Sequence, residues 1–128
     1  MMTIRTHQAI NQEHFGTPTH LEEGASRVEL LTKKSMAVDD TGLVHGGYIF
    51  GLADYAAMIA VNHPNVVLGA AEVKFLKPVR AGETVIAAAT AEARQGKKQI
   101  VAVTVTRNDD MVFSGYFTCF VLEQHVLV

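Results

Sequence analysis

Between Gly42 and Asn62 the chain reads GLVHGGYIFGLADYAAMIAVN, and Asp54 is the only formally charged residue in it. From Tyr48 to Val61 there is no proline, and Leu, Ala and Met favour helix. The apolar residues fall on every side of that helix. Such a helix must be enclosed on most sides, so the rest of the chain has to supply a wrapping layer. Gly51 costs about 1 kcal/mol in a helix interior relative to Ala, which predicts a neighbour packed very close to it. The apolar run from Gly47 to Val61 is about 15 residues, short of the roughly 20 that a membrane span needs.

After the helix the period changes to two. GAAEVKFLKPV sets Val73 and Phe75 against Glu72, Lys74 and Lys77. Pro78 and Gly82 bracket a turn. ETVIAAATAEARQ is a strand closed by Gln95-Gly96-Lys97. KQIVAVTVTRN sets Val101, Val103 and Val105 opposite Ala102, Thr104 and Thr106. It ends at the hairpin signal Asn108-Asp109-Asp110, and MVFSGYFTCFVL is the last strand. Three short links in a row predict an antiparallel meander. Before the helix, residues Ser26 to Val38 read as a strand that stops at the turn Asp39-Asp40-Thr41-Gly42. The first residues are weakly patterned, with a short helix near His7–His14. The expected architecture is α+β, one buried helix inside a curled antiparallel sheet. The 128 residues suit one domain, an N-terminal segment 1–25 and a core 26–122.

A net charge of −2 favours neither nucleic acid nor an anionic membrane as partner. The pairs Lys33-Lys34 and Lys97-Lys98 read as solvated strand ends. Cys119 is the single cysteine, so no internal disulfide forms, which suits a reducing compartment. Its surroundings, FTCFVL, mark it as a core residue. MMTIRTHQAINQEHF lacks the apolar centre of a signal peptide, and a cytoplasmic location is expected. Six histidines show neither HxH nor HxxxH spacing, so no metal site is expected. Ser114 in VFSGY is not a nucleophile elbow, and VHGGY is not a nucleotide-binding fingerprint.

Burying an ionised carboxylate without partners is expensive. Asp54 is therefore either paired or protonated in a structural role, or it faces a cavity and does chemistry. Taken alone, the residue leaves both open. His45-Gly46-Gly47 leads into the helix, where backbone N–H groups lack partners and the dipole is positive. Two glycines let another molecule approach that backbone, or they simply make a tight turn. Gly47 and Asp54 are two turns apart, on nearly the same face and roughly 10–12 Å along the axis. An oxyanion donor and a nucleophile or base must both act within about 3 Å of one carbonyl. One helix cannot do this. Two antiparallel copies can, so an active site built this way demands at least a dimer.

VHGGYIFGLADYAAMIAVN resembles the helix motif of hotdog-fold acyl-CoA thioesterases of the phenylacetic-acid-degradation (PaaI-like) branch. In that motif an acid follows the histidine of His-Gly-Gly by nine positions, as Asp54 follows His45. VKFLKPVRAGETVIAAATA is similar to the strand–turn–strand of the same family, and the resemblance spans roughly residues 26–122. It implies a hotdog fold, one long helix wrapped by about five to six strands and paired into homodimers or dimers of dimers. It also implies hydrolysis of a small or medium acyl-CoA. Gly46 would polarise the thioester carbonyl, and Asp54 of the partner chain would attack it or activate a water. His45 and Gly47 would shape the substrate-binding loop. Coenzyme A enters as part of the substrate, with no separate cofactor. Lys77 and Arg80 are the basic candidates for its phosphates. Asp39 stands where members often carry Asn, and a carboxylate cannot donate as an amide does unless protonated. The second reading is a non-catalytic acyl-CoA sensor of the FapR type; by resemblance those domains lack the acid at position 54.

Overall fold

The computed structural model describes residues 1–128. Its elements are α1 (Gln12–Phe15), β1 (Thr17–Glu22), β2 (Ala25–Leu31), a 3-10 turn (Lys34–Met36), α2 (Gly46–Val61), β3 (Val66–Phe75), β4 (Thr84–Ala91), β5 (Lys98–Arg107) and β6 (Asp110–Val121). All six strands form one antiparallel sheet in the order β1-β2-β4-β5-β6-β3. It wraps α2, as the all-round apolar character of that helix requires. Ile49, Leu52, Ala53 and every residue from Tyr55 to Ala60 are buried, and the inward residues Val85, Ala87, Val101, Val103, Val105, Phe113 and Phe117 close on them. The buried Ser26 hydroxyl of β2 donates to the Ala56 carbonyl at 2.7 Å, holding helix against sheet. No helix is long and apolar enough to cross a membrane.

Several boundaries differ from the sequence expectation. The central helix begins at Gly46, not Tyr48, because His45 caps it. The short N-terminal helix starts only at Gln12, capped by the Asn11 carboxamide. β2 stops at Leu31, where the buried Thr32 turns its hydroxyl to the carbonyls of Arg80 and Glu83. β1 falls in the supposedly weakly patterned region. Its sequence TPTHLE buries only Leu21, and an edge strand needs little more and tolerates its proline.

The meander holds from β4 to β6 but not before. β3 pairs with β6, while the free side of β4 is taken by β2. Residues 76–83 are therefore a crossing and not a hairpin turn. Their length alone exceeds the two to five residues usual for hairpins. Leu76 hydrogen-bonds back to Val112, and Val79 receives the N–H of Val44 on the way. As a result β3 is an edge strand with most of its residues exposed. Phe75, expected on a buried face, is 56% exposed.

The close neighbour that Gly51 predicts is Phe15. A Cβ on Gly51 would lie 2.5 Å from two atoms of its ring. Helix propensity alone favours Gly51→Ala by about 1 kcal/mol, whereas overpacking costs about 1–3 kcal/mol. The substitution should lower the melting temperature, and Phe15→Ala in the same chain should restore part of the loss. A rise with Gly51→Ala alone would mean that the ring does not sit in the notch.

Candidate functional site

The start of α2 is held from both sides. The N–H of Val44 donates to Val79, and that of His45 donates to Met36. His45 is exposed, and its Nδ1 accepts the Gly47 N–H at 2.7 Å. A neutral His45 therefore carries its proton on Nε2. The Tyr48 N–H goes to the His45 carbonyl, which leaves the Gly46 N–H as the amide of this turn without a hydrogen bond. A Cβ on Gly46 would stand 3.2 Å from the Phe75 ring. The two glycines are thus not equivalent: one amide is consumed by the cap, and the other is free at the positive end of the helix.

Two turns on, Asp54 lies on the least covered stripe of α2. Gly47 is exposed and Phe50, Asp54 and Val61 are only partly buried, and their spacing puts them on one face. Asp54 Oδ1 is nevertheless out of reach of water and has no hydrogen-bond partner. Burial pushes its carboxyl up to about 6. The side chain lines an open cavity of about 590 Å³, bounded by Arg5, His7 and Gln8 from the N-terminal segment, Met58 one turn along, and residues 64–68 at the start of β3. At Gly69 the β3 ladder skips a residue, with the Phe120 ring over the glycine. Such bulges often re-aim side chains beside functional sites. Cys119 is fully buried nearby. Burial and the charge of Asp54 push its thiol up to about 12, so it is no thiolate nucleophile at neutral pH.

One protomer does not bring the expected site together. Asp54 opens to its own cavity, whereas His45 and Gly47 border a shallow depression with His14, Phe15 and Tyr48. Asp39 sits elsewhere, in a groove with Lys34, Thr41 and Arg80. Its carboxylate accepts the Thr41 hydroxyl and N–H, which holds it below the usual carboxylate range. Lys77 is 3.4 Å from Asp110. Neither Lys77 nor Arg80 borders the Asp54 cavity. The residues that sequence reasoning passed over are Arg5, Thr6, His7 and Gln8. Their own segment carries no pattern that points to them; only its docking against α2 does. Met58, on the same helix, lies one turn from Asp54. No three His, Cys, Asp or Glu side chains gather as a metal would require.

Residues 41–114 match the family model of the Thioesterase superfamily. Two relatives are informative. A methylthioribose-1-phosphate isomerase from Aquifex aeolicus is 53% identical over 95% of this chain, and the chain spans 27% of that protein. The transcription factor FapR of Caldanaerobacter subterraneus is 28% identical over 92% of this chain and 60% of its own length. Among solved structures, an uncharacterized protein from Pyrococcus horikoshii superposes with a TM-score of 0.97 at 51% identity, covering 99% of this chain and 98% of the other. A mutant of the phenylacetic acid degradation protein PaaI from Thermus thermophilus superposes at 0.79 and 26% identity, covering 87% and 97%.

The raised carboxyl of Asp54 has a consequence for stability. An acid whose folded value stands above its ordinary 3.8 binds protons more tightly when folded. Its protonated form carries no penalty at low pH. The penalty grows as pH rises through about 4 to 6 and is then complete. Two units correspond to about 3 kcal/mol. Asp54→Asn should therefore stabilise the protein at pH 7.5 by up to about 3 kcal/mol in urea denaturation, and hardly at all at pH 4. An equal effect at both pH values would show that ionisation is not the cause.

Proposed function

This chain belongs to the Thioesterase superfamily, and we propose that it is an acyl-CoA thioesterase with Asp54 as its nucleophile or general base. The observation that carries this reading is the Asp54 carboxylate itself. It has a buried oxygen without a partner, an elevated affinity for protons, and a place on the wall of an open cavity. Groups that perturbed and that exposed to a cleft concentrate at active sites. The fold supports the reading as well, since the PaaI structure has the same architecture.

The proposed site joins two copies. The free Gly46 N–H of one copy would donate to the thioester carbonyl, and Asp54 of the other would face the carbonyl carbon. Two features favour such pairing. β3 is an unpaired edge with exposed side chains, and edges of this length are seldom left open. The partly covered stripe of α2 runs alongside. Water attacks the carbonyl as Asp54 takes its proton, and the oxyanion is held by the Gly46 amide. The C–S bond then breaks, and the thiolate takes the proton back from Asp54. In the covalent variant the carboxylate attacks, the thiolate leaves, and water cleaves the resulting anhydride. Both routes consume one water and release acid and thiol. Coenzyme A is substrate here, and the chemistry needs no other cofactor. We take the reaction to be cytoplasmic.

The isomerase name of the Aquifex relative is not carried over, because this chain corresponds to 27% of that protein. A second reading, an acyl-CoA-binding sensor that does not hydrolyse, is favoured by the FapR relatives. A panel of acyl-CoAs decides between them. The hydrolase reading expects turnover, reduced at least about a hundredfold in Asp54→Asn with binding retained. Binding without turnover supports the sensor, and a strict monomer in solution contradicts the shared site.

Because the ionised carboxylate is the active form, kcat/KM should rise with pH, reach half its plateau near pH 6, and stay level above. A profile flat from pH 5 to 8 would remove Asp54 from the chemistry.

A further inference from the structure

The wall that carries Asp54 also carries His7, and Arg5 and His125 are the other titratable groups on it. The backbone at His7 is left-handed, at φ 54°, a region that side chains other than glycine seldom occupy. Such strain persists only where the surroundings over-determine it, and it clusters at functional sites. Both flanks of His7 are pinned. On one side the Arg5 N–H donates to Asn62 Oδ1 at 2.7 Å, and Asn62 Nδ2 donates to the Thr3 carbonyl at 2.9 Å. Asn62 is the buried C-cap of α2, so the helix that carries Asp54 also anchors residues 3–5. On the other side the His7 carbonyl accepts the Ile10 N–H at 3.2 Å and closes a turn.

The ring is fixed as well. Its Nδ1 lies 2.8 Å from the Thr6 hydroxyl, which has no other partner, and Thr6 is 7% exposed. A buried hydroxyl proton needs an acceptor, so Thr6 donates and Nδ1 accepts. The proton of the neutral imidazole is therefore on Nε2. Burial holds His7 below its usual range, which makes it an uncharged donor at neutral pH. Asp54 is its complement, an acceptor in want of a donor. Its Oδ1 is sealed off, leaving Oδ2 to face the cavity. A water that accepts from His7 Nε2–H and donates to Asp54 suits both groups, and it keeps one lone pair for attack. A charged imidazolium in the same place would weaken the carboxylate as a base, whereas a neutral ring does not.

We propose that His7 Nε2–H holds and orients the water that Asp54 activates. The assignment rests on the hydrolase reading of the site and takes its direct route. The water oxygen bonds to the thioester carbonyl carbon as one of its protons passes to Asp54. The C–S bond breaks, the departing thiolate takes that proton, and the second proton of the water leaves with the acid product. His7 keeps its own proton throughout.

The test compares wild type with His7→Gly, Thr6→Val and the variant carrying both, on an acyl-CoA that wild type hydrolyses. Thermal melts check that each variant folds. Glycine suits the left-handed backbone, and His7→Asn, which also tolerates it, replaces His7→Gly if that variant melts too low to assay. Loss of a neutral hydrogen bond to the reacting water should lower kcat about tenfold, with KM within about twofold. Added imidazole should restore part of the turnover of His7→Gly and none of that of Asp54→Asn. Thr6→Val should cost less than His7→Gly and add nothing to it, because the hydroxyl acts only through the ring. Nitrogen-15 spectra near neutral pH read the tautomer without substrate: the ring proton should sit on Nε2 in wild type and be shared with Nδ1 in Thr6→Val. A proton on Nδ1 in wild type overturns the assignment. So does a loss of turnover that imidazole does not rescue and that follows the melting temperature, the mark of a structural role. Unchanged kcat in His7→Gly beside an inactive Asp54→Asn removes His7 and leaves the hydrolase standing. A wild type that hydrolyses no thioester removes both.

Discussion

An ionisable carboxylate held in an all-apolar helix is the constraint around which this protein is arranged. The helix needs a wrapping layer because it has no polar face, and the six-stranded sheet supplies it. Asp54 cannot be wrapped in the same way. Its cost in the folded state, about 3 kcal/mol when ionised, is a substantial share of the stability of a small domain. Nothing within the chain offsets that cost, since Oδ1 has no partner. Carboxylates placed purely for structure are normally satisfied. An unsatisfied one beside a cavity is the arrangement that chemistry on a bound carbonyl would use.

The local structure at the helix start follows a similar logic of leaving one group free. Capping by His45 consumes the amide of Gly47 and leaves that of Gly46 unbonded at the positive pole. The free donor, Gly46, and the free acceptor, Asp54, belong to one helix, but more than two turns separate them. The crossing of residues 76–83 has a related effect at the sheet. By carrying the chain from β3 past β6 and β5 to β4, it leaves β3 as an edge of the sheet. In the proposed dimer these features meet, each copy supplying what the other lacks.

Much of this was legible before any fold. The enclosed helix, the Gly51 notch, the burial of Val101, Val103 and Val105 and the core position of Cys119 all follow from residue type and spacing. The misses have physical reasons. β1 lacked an apolar pattern because an edge strand buries one face poorly. The link after β3 was read as a hairpin because Pro78 and Gly82 signal turns without saying which strands they join. Lys77 and Arg80 were natural choices for an anion because basic residues beside a Lys-Pro turn look unpaired in sequence. Lys77 has an acid partner supplied by another element, and Arg80 faces a different groove.

Hydropathy and helical spacing are local properties, and they determined that one helix would be buried with a single acid inside it and with glycine amides two turns behind. Only the tertiary structure decided what surrounds that acid. The bonds of Asn62 to Thr3 and Arg5, the placing of Arg5 on the wall of the Asp54 cavity, and the pairing of β3 with β6 join residues far apart in the chain. No period or propensity encodes such contacts, because their energy comes from surfaces that exist only once the sheet has closed around the helix.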